Sequence, residues 1–157
     1  MPDPAAAQWL WIGVLILAVW ALLNARVVLR IMARPVPAEP SEAQGCSVQD
    51  PGSCRHLFHS PTARLIGGIP NALLGQVFYG LVVGTALASL GGGQVPRLWV
   101  GLLALAGTAA VVVSAYLLWN LVVVRRVRCR YCFLGQGLNL ALLTLLVALY
   151  LRPNGWI

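Results

Sequence analysis

Two cysteines three positions apart, Cys129 and Cys132, are the residues of this sequence best suited to chemistry. A long apolar run, Phe133 to Leu151, follows them directly. The amino-terminal end of a helix carries partial positive charge and unbonded N–H groups, and both favour a thiolate over a thiol. Neighbouring guanidinium groups act in the same direction, and four arginines surround the pair: Arg125, Arg126, Arg128 and Arg130. The pattern predicts thiol–disulfide chemistry at the start of a membrane helix, with both cysteines on one face if they lie in its first turn.

The composition is that of an integral membrane protein. The 157 residues are 59% hydrophobic and 10% charged, with a mean hydropathy of +0.80, whereas about a quarter of a soluble domain is charged. The net charge of +7 comes entirely from arginine, without lysine. These arginines stand at the ends of apolar runs, where such residues anchor helices at the membrane interface. We therefore exclude nucleic-acid binding and interpret residues 1–157 as a single membrane domain.

Four apolar runs define the expected architecture. They cover about residues 9–32, 70–90, 98–124 and 133–151, and each is long enough to cross roughly 30 Å of hydrocarbon. Proline, glycine and acidic residues interrupt the pattern over 33–69, which indicates a loop outside the hydrocarbon. The sequence predicts an all-α membrane protein, a four-transmembrane-helix bundle with this long loop between helices 1 and 2. Four spans place the loop and the segment before the fourth span on the same side.

The loop contains a second cysteine pair, Cys46 and Cys54. Two pairs at one end of a bundle suggest a relay, in which a soluble dithiol protein reduces the loop pair and the loop pair reduces Cys129–Cys132. No haem or flavin motif is visible, so a lipid-borne quinone is the natural electron acceptor. Two alternatives stay open for the cysteines: a structural disulfide, and a zinc site with the nearby histidines His56 and His59.

Polar residues inside membrane spans are candidates for function. Asn71 opens the second span, while Gln136 and Asn139 follow Cys132 on the fourth. Their amide groups suit hydrogen bonds to a quinone carbonyl, and three aromatic residues suit the walls of its pocket: Phe78, Tyr79 and Trp119. The alternative for each amide is a hydrogen bond between helices.

These motifs together resemble the vitamin K epoxide reductase family. The resemblance covers Cys46 with Cys54-Arg-His-Leu-Phe-His-Ser60, then Asn71-Ala-Leu-Leu-Gly75-Gln-Val-Phe78-Tyr79 in the second span. It continues with Ser114-Ala-Tyr116-Leu-Leu-Trp119 in the third span and ends with Cys129-Arg-Tyr-Cys132 and Asn139. These pieces extend over most of the chain after Cys46.

The resemblance implies a four-helix bundle that holds a quinone, such as ubiquinone or menaquinone, near Cys132. Cys132 would react with the quinone, Cys129 would exchange with Cys54, and Cys46 would meet the partner. Asn71 corresponds to an asparagine that contacts the quinone. The implied activity is oxidation of a thioredoxin-like partner by a membrane quinone, which drives disulfide bond formation.

Three departures from the family pattern narrow this reading. Gln136 stands where animal members have a tyrosine that helps to hold the vitamin K head group, so a true vitamin K quinone or epoxide reductase is the less favoured alternative. The loop between Ser60 and Asn71 is shorter than in animal members. No thioredoxin-like domain follows Leu151, and we therefore expect the partner to be a separate protein.

The side of the cell membrane on which the cysteines lie is predicted differently by two arguments. The family's usual arrangement places them outside the cytoplasm, where disulfides persist. Arg97 and Arg152 lie at the opposite end of the bundle. The other arginines lie on the cysteine side: Arg26, Arg30, Arg34, Arg55, Arg64, Arg125, Arg126, Arg128 and Arg130. The positive-inside rule therefore favours a cytoplasmic, inverted cysteine end.

We accordingly expect Cys46 and Cys54, after reduction, to resist a membrane-impermeant thiol reagent in intact cells and to react after lysis. The reagent is added to intact cells in one sample and to lysed cells in the other, and the label on the protein is measured after purification. The two samples differ only in whether the reagent can reach the cytoplasmic side. Strong labelling before lysis would reject the inverted orientation and restore the external one.

Overall fold

Four long helices make up most of the described part of the protein. The computed structural model describes residues 4–33, 68–124 and 129–152. The helices are α1 (Pro4–Ala33), α2 (Asn71–Leu90), α3 (Arg97–Trp119) with a π-helical extension (Asn120–Val124), and α4 (Arg130–Tyr150). Each of the four α-helices contains a stretch long and apolar enough to cross a membrane, so the prediction of an all-α four-helix membrane bundle is confirmed. Residues 34–67 of the predicted loop, including Cys46 and Cys54, lie outside the described residues.

The helix boundaries differ from the predicted spans by more than one residue at three places. α1 begins at Pro4, because proline suits the first helical position. α3 ends at Trp119 and widens into the π-helix at Asn120. The Asn120 side chain donates a hydrogen bond to the Tyr116 carbonyl at 3.0 Å, and such bonds compete with the regular backbone pattern. α4 begins at Arg130, so Cys132 lies in its first turn while Cys129 is the residue before the helix.

The helices pack in the spatial order α2, α1, α4, α3. α1 packs along both α2 and α4, and α4 packs along α3, whereas α2 and α3 touch only briefly. α1 offers small buried residues, Ala18, Ala21 and Ala25, which let neighbouring helices approach closely. α4 contributes larger buried side chains to the same core: Leu138, Leu142, Leu146 and Leu149. α4 therefore lies between two neighbours, and the side chains on its inner face can meet more than one helix.

The end of the bundle opposite the cysteines is held by polar and aromatic contacts. Trp99 of α3 donates a hydrogen bond through Nε1 to the Thr85 hydroxyl of α2 at 3.0 Å. The Arg97 guanidinium lies 5.0 Å from the centre of the Tyr150 ring, within the range of a cation–π interaction. Gly92 adopts a positive φ of 86° in the short turn between α2 and α3. These contacts join α2, α3 and α4 at the end distant from the cysteines.

Candidate active site

The four helix ends on the cysteine side converge on one small apolar cluster. Its buried residues are Val28 of α1 and Cys129. Residues from every helix pack against them: Ile31, Met32, Ala72, Leu118, Tyr131 and Cys132. The end of α1, the start of α2, the end of α3 and the start of α4 therefore meet around the Cys129–Cys132 turn. The structure thus brings together the helix ends that the four-span topology predicts on one side.

The Cys129–Cys132 turn is the amino-terminal cap of α4. Cys129 has an extended backbone, with φ −110° and ψ 111°. Its carbonyl accepts hydrogen bonds from the N–H groups of Cys132, at 3.1 Å, and Phe133, at 3.2 Å. Cys129 is completely buried and Cys132 is partly buried. The first-turn N–H groups, which favour negative charge at a helix start, therefore belong to the same turn as both sulfur atoms.

Arg130 is held against its neighbour Tyr131. Its guanidinium lies 4.9 Å from the centre of the Tyr131 ring and donates a hydrogen bond to the Tyr131 hydroxyl at 3.3 Å. The positive charge is therefore fixed within the segment that joins the two cysteines. The other arginines predicted to act on the pair, Arg125, Arg126 and Arg128, lie outside the described residues.

Behind Cys132, a polar row runs along the inner side of α4. Gln136 and Asn139 follow at positions i+4 and i+7, which share a face of a helix. The Gln136 Oε1 atom is buried and accepts no hydrogen bond from the part of the chain that the structure describes. Buried polar atoms are normally paired, and an unpaired one calls for an explanation. Asn139 lies about 10 Å further along the axis than Cys132 at 1.5 Å per residue, and both its Oδ1 and its Nδ2 atom make a hydrogen bond.

A chain of hydrogen bonds through Asn139 joins three helices. The Tyr79 hydroxyl of α2 donates to Asn139 Oδ1 at 2.6 Å, and Asn139 Nδ2 donates to the Ser114 hydroxyl of α3 at 2.8 Å. Ser114 in turn donates to the carbonyl of Ala110 at 2.6 Å. This is the helix-to-helix alternative that the sequence left open for Asn139. Contact of Tyr79 and Asn139 with a quinone stays a prediction, but their first hydrogen bonds are to each other.

The sequence of α2 makes room for this chain. A Cβ atom at Gly75 would lie 3.3 Å from Cε2 of the Tyr79 ring, so the ring lies back over the preceding turn, as helical side chains do. Phe78 packs beside it, with the two ring centres 5.5 Å apart. Glycine at position 75 therefore permits the Tyr79 orientation that reaches Asn139.

Two further predicted site residues, Asn71 and Trp119, lie in different surroundings. Asn71 is the first residue of α2, its Oδ1 atom is buried, and the next residue, Ala72, packs against the cysteine cluster. Trp119, in contrast, is 64% exposed at the end of α3. The structure thus brings Asn71 close to the cysteine turn but leaves Trp119 on the outer surface of the bundle. The zinc alternative involves Cys46, Cys54, His56 and His59, which lie outside the described residues.

Two polar contacts were not predicted. Ser114 had been noted only as part of a family motif, although a polar residue inside a span is itself a signal. Asn24 interrupts the otherwise apolar run of α1, and its Nδ2 donates to the Tyr131 carbonyl of α4 at 3.3 Å. Ser114 bonds to the Asn139 side chain, and Asn24 bonds to the first turn of α4.

The geometry defines a class of protein: a membrane helix bundle with a cysteine pair at a helix start and a polar row behind it. A sequence model of the vitamin K epoxide reductase family matches residues 10–147. The chain belongs to the vitamin K epoxide reductase family. Membership implies an oxidoreductase of the quinone-linked thiol type in general. Comparison with curated proteins finds no match, and comparison with solved structures finds none either.

The Tyr79–Asn139 bond is open to a double-mutant test. Tyr79→Phe strands the buried Asn139 Oδ1 atom, and Asn139→Leu strands the Tyr79 hydroxyl. Each change should lower the free energy of unfolding in detergent by about 1 kcal/mol, whereas the double variant should lose less than the sum because both partners are then apolar.

Tyr150→Phe is the matched control, because Tyr150 uses its ring rather than its hydroxyl to contact Arg97. It should change the free energy of unfolding by less than about 0.5 kcal/mol. Strictly additive effects of the Tyr79 and Asn139 changes would show that the two side chains are not coupled.

Proposed function

We propose that this protein is a quinone-dependent thiol oxidoreductase that oxidises a separate thioredoxin-like protein and so drives disulfide bond formation. The principal support is the position of Cys132 in the first turn of α4, on the same helix face as Gln136, whose buried Oε1 atom accepts no hydrogen bond from the described residues. Family membership supports the same class of reaction. The protein would act as one membrane domain, with its cysteine pairs at one end of the bundle.

The proposed electron path begins at the loop cysteines. A dithiol partner attacks the Cys46–Cys54 disulfide, forms a mixed disulfide through Cys46, and leaves as an oxidised disulfide. The loop dithiol then reduces Cys129–Cys132 by exchange between Cys54 and Cys129. Each step transfers two electrons, and one disulfide is formed for each disulfide reduced. A bound quinone accepts the two electrons and two protons of the inner pair and becomes a quinol.

The positions of the two inner cysteines support this division of roles. Cys129 precedes α4 and lies in the cluster where the four helix ends meet, and this cluster is at the end of the bundle from which the loop leaves α1. Cys132 lies one turn further into the bundle and heads the row of Gln136 and Asn139. An exchange reaction from the loop at Cys129, and a reaction with a membrane-dissolved acceptor at Cys132, fit this order.

The residues behind Cys132 fit a quinone head group. The Gln136 Oε1 atom is an acceptor that lacks a donor within the described residues, and a quinol hydroxyl is such a donor. Asn71, at the start of α2, brings a second amide to the same end of the bundle. The paired Tyr79 and Asn139 lie at the deeper end of the row, where they limit how far the head group can enter.

The decisive experiment combines purified protein, a reduced thioredoxin-like protein and either ubiquinone or menaquinone. We expect quinone absorbance to fall as the partner becomes oxidised, with one quinone consumed per disulfide formed. Stoichiometric zinc in the purified protein together with no quinone reduction would instead favour the metal-binding alternative. Reduction of vitamin K epoxide by the same preparation would favour the epoxide reductase alternative.

Cysteine variants separate the steps of the path. Cys132→Ala should abolish quinone reduction with any electron donor. Cys46→Ala should block electron entry from the protein partner but leave the inner pair able to react with small dithiols. Full activity of Cys46→Ala with the protein partner would mean that the assigned order of transfer is wrong.

Amide variants test the quinone contacts. Gln136→Leu and Asn71→Ala should each lower kcat/KM for the quinone about tenfold. Asn71→Ala removes an amide donor whose bond to the quinone carbonyl strengthens as negative charge develops, and Gln136→Leu removes the acceptor for the quinol hydroxyl that forms. Exchange between partner and loop should survive both changes. Gln94→Leu, in the turn between α2 and α3, is the matched control and should leave both activities unchanged. Equal loss of both activities in Asn71→Ala would mean that this residue is structural.

A further inference from the structure

Asn24 is the one polar side chain between Trp9 and Ala25 of α1. An amide inside a membrane span is unfavourable unless it finds a partner. Its partner is the Tyr131 carbonyl, at 3.3 Å, which belongs to another helix. A leucine at this position would suit the surrounding hydrocarbon and helices better. The presence of an amide at position 24 is therefore best explained by its hydrogen bond to the Tyr131 carbonyl.

The contacted carbonyl belongs to the peptide group that joins Tyr131 to Cys132. The N–H of that same peptide group donates to the Cys129 carbonyl at 3.1 Å. One planar unit thus accepts a hydrogen bond from α1 on one side and donates a hydrogen bond within the cysteine turn on the other. Hydrogen bonds in such a chain polarise one another, so the Asn24 amide strengthens the positive end of the Cys132 N–H.

The Asn24 amide lies beside Gly135 of α4. A Cβ atom built on Gly135 would lie 3.4 Å from Asn24 Nδ2, so the absence of a side chain leaves the helix backbone open to the amide. The Tyr131 carbonyl has two lone pairs. It can therefore accept from Asn24 and still take part in the regular pattern of α4.

We propose that Asn24 is a positioning residue for the Cys129–Cys132 pair and that it sets the dithiol–disulfide equilibrium of that pair. This inference rests on the proposed function, because it requires the two cysteines to exchange electrons. Asn24 donates its hydrogen bond to the backbone of the cysteine turn. It acts through the Tyr131–Cys132 peptide group, whose orientation it fixes against α1.

The direction of the effect follows from the charge on the first-turn amides. Reduction of the disulfide adds two electrons and two protons and yields two thiols, one of which can ionise. The third N–H of α4 belongs to Cys132 and donates to the carbonyl of the cap residue, Cys129, so its partial positive charge lies in the same turn as the Cys129 side chain. A more polarised N–H stabilises a thiolate at Cys129 and hence the reduced pair. Loss of the Asn24 amide should therefore favour the disulfide.

The test is a redox titration of the intact protein in detergent against mixtures of reduced and oxidised dithiothreitol. Differential alkylation and mass spectrometry of the peptide that contains both cysteines report the state of this pair alone. Asn24→Leu should shift the equilibrium constant at least threefold towards the disulfide, which is about 14 mV for a two-electron couple. Asn24→Gln retains the primary amide and should recover part of the shift.

Asn120→Leu is the matched control, because Asn120 also donates its amide to a backbone carbonyl, at 3.0 Å, but within its own helix. It should leave the equilibrium of the pair unchanged. Asn24→Ala provides a second variant, which removes the amide and introduces a small side chain that favours the helix. It should shift the equilibrium in the same direction as Asn24→Leu. It keeps the proposal testable if Asn24→Leu does not fold.

The outcomes distinguish this inference from the function on which it rests. A wild-type pair that titrates reversibly, together with Asn24→Leu and Asn24→Ala variants that titrate within the error of wild type, would overturn the role of Asn24 alone. An Asn120→Leu shift as large as that of Asn24→Leu would also overturn it, because the effect would then be general. A wild-type pair that never forms a reversible disulfide would overturn the proposed function and this inference together.

Discussion

The hydrocarbon surroundings impose the constraint on which the rest of this structure depends: a polar group inside the bilayer must find its partner within the protein. The described helices satisfy this constraint in two ways. Hydroxyl groups such as Thr108 and Thr144 donate to carbonyls of their own helix. Tyr79, Asn139 and Asn24 instead reach a neighbouring helix. Bonds of the second kind fix the register between helices, and they are concentrated on the cysteine half of the bundle.

The packing order explains why the site forms on α4. Because α4 lies between α1 and α3, its inner face can bond to α1 through the Tyr131 carbonyl and to α3 through Ser114. Tyr79 of α2 reaches the same face from a third direction. α2 and α3 touch only briefly and are tied by Trp99 and Thr85 at the opposite end of the bundle. The side chains behind Cys132 are thus held from three helices.

Much of the fold was predictable from the sequence, because length and hydropathy alone require membrane spans and the cysteine spacing marks the start of the fourth. The details that depend on hydrogen-bond partners were not predictable from the sequence. The widening of α3 at Asn120 and the cap position of Cys129 arise from local hydrogen bonds that hydropathy does not report. The aromatic motif did not distinguish Phe78, packed against the core, from Trp119 on the outer surface. Contacts of Cys46 and Cys54 stay predictions.

Gln136 and Asn139 show how similar amides on one helix face can have different roles. Asn139 accepts from Tyr79 and donates to Ser114, so its removal would take the acceptor from the Tyr79 hydroxyl and a donor from Ser114, as expected of a residue that joins helices. Gln136 has a buried oxygen without a donor among the described residues, which is unfavourable for stability. Such an atom calls for an explanation, and the function proposed above supplies one, because a quinol hydroxyl would be the missing donor. Sequence alone assigned both residues to quinone binding, whereas we propose Gln136 for the contact and Asn139 for its support.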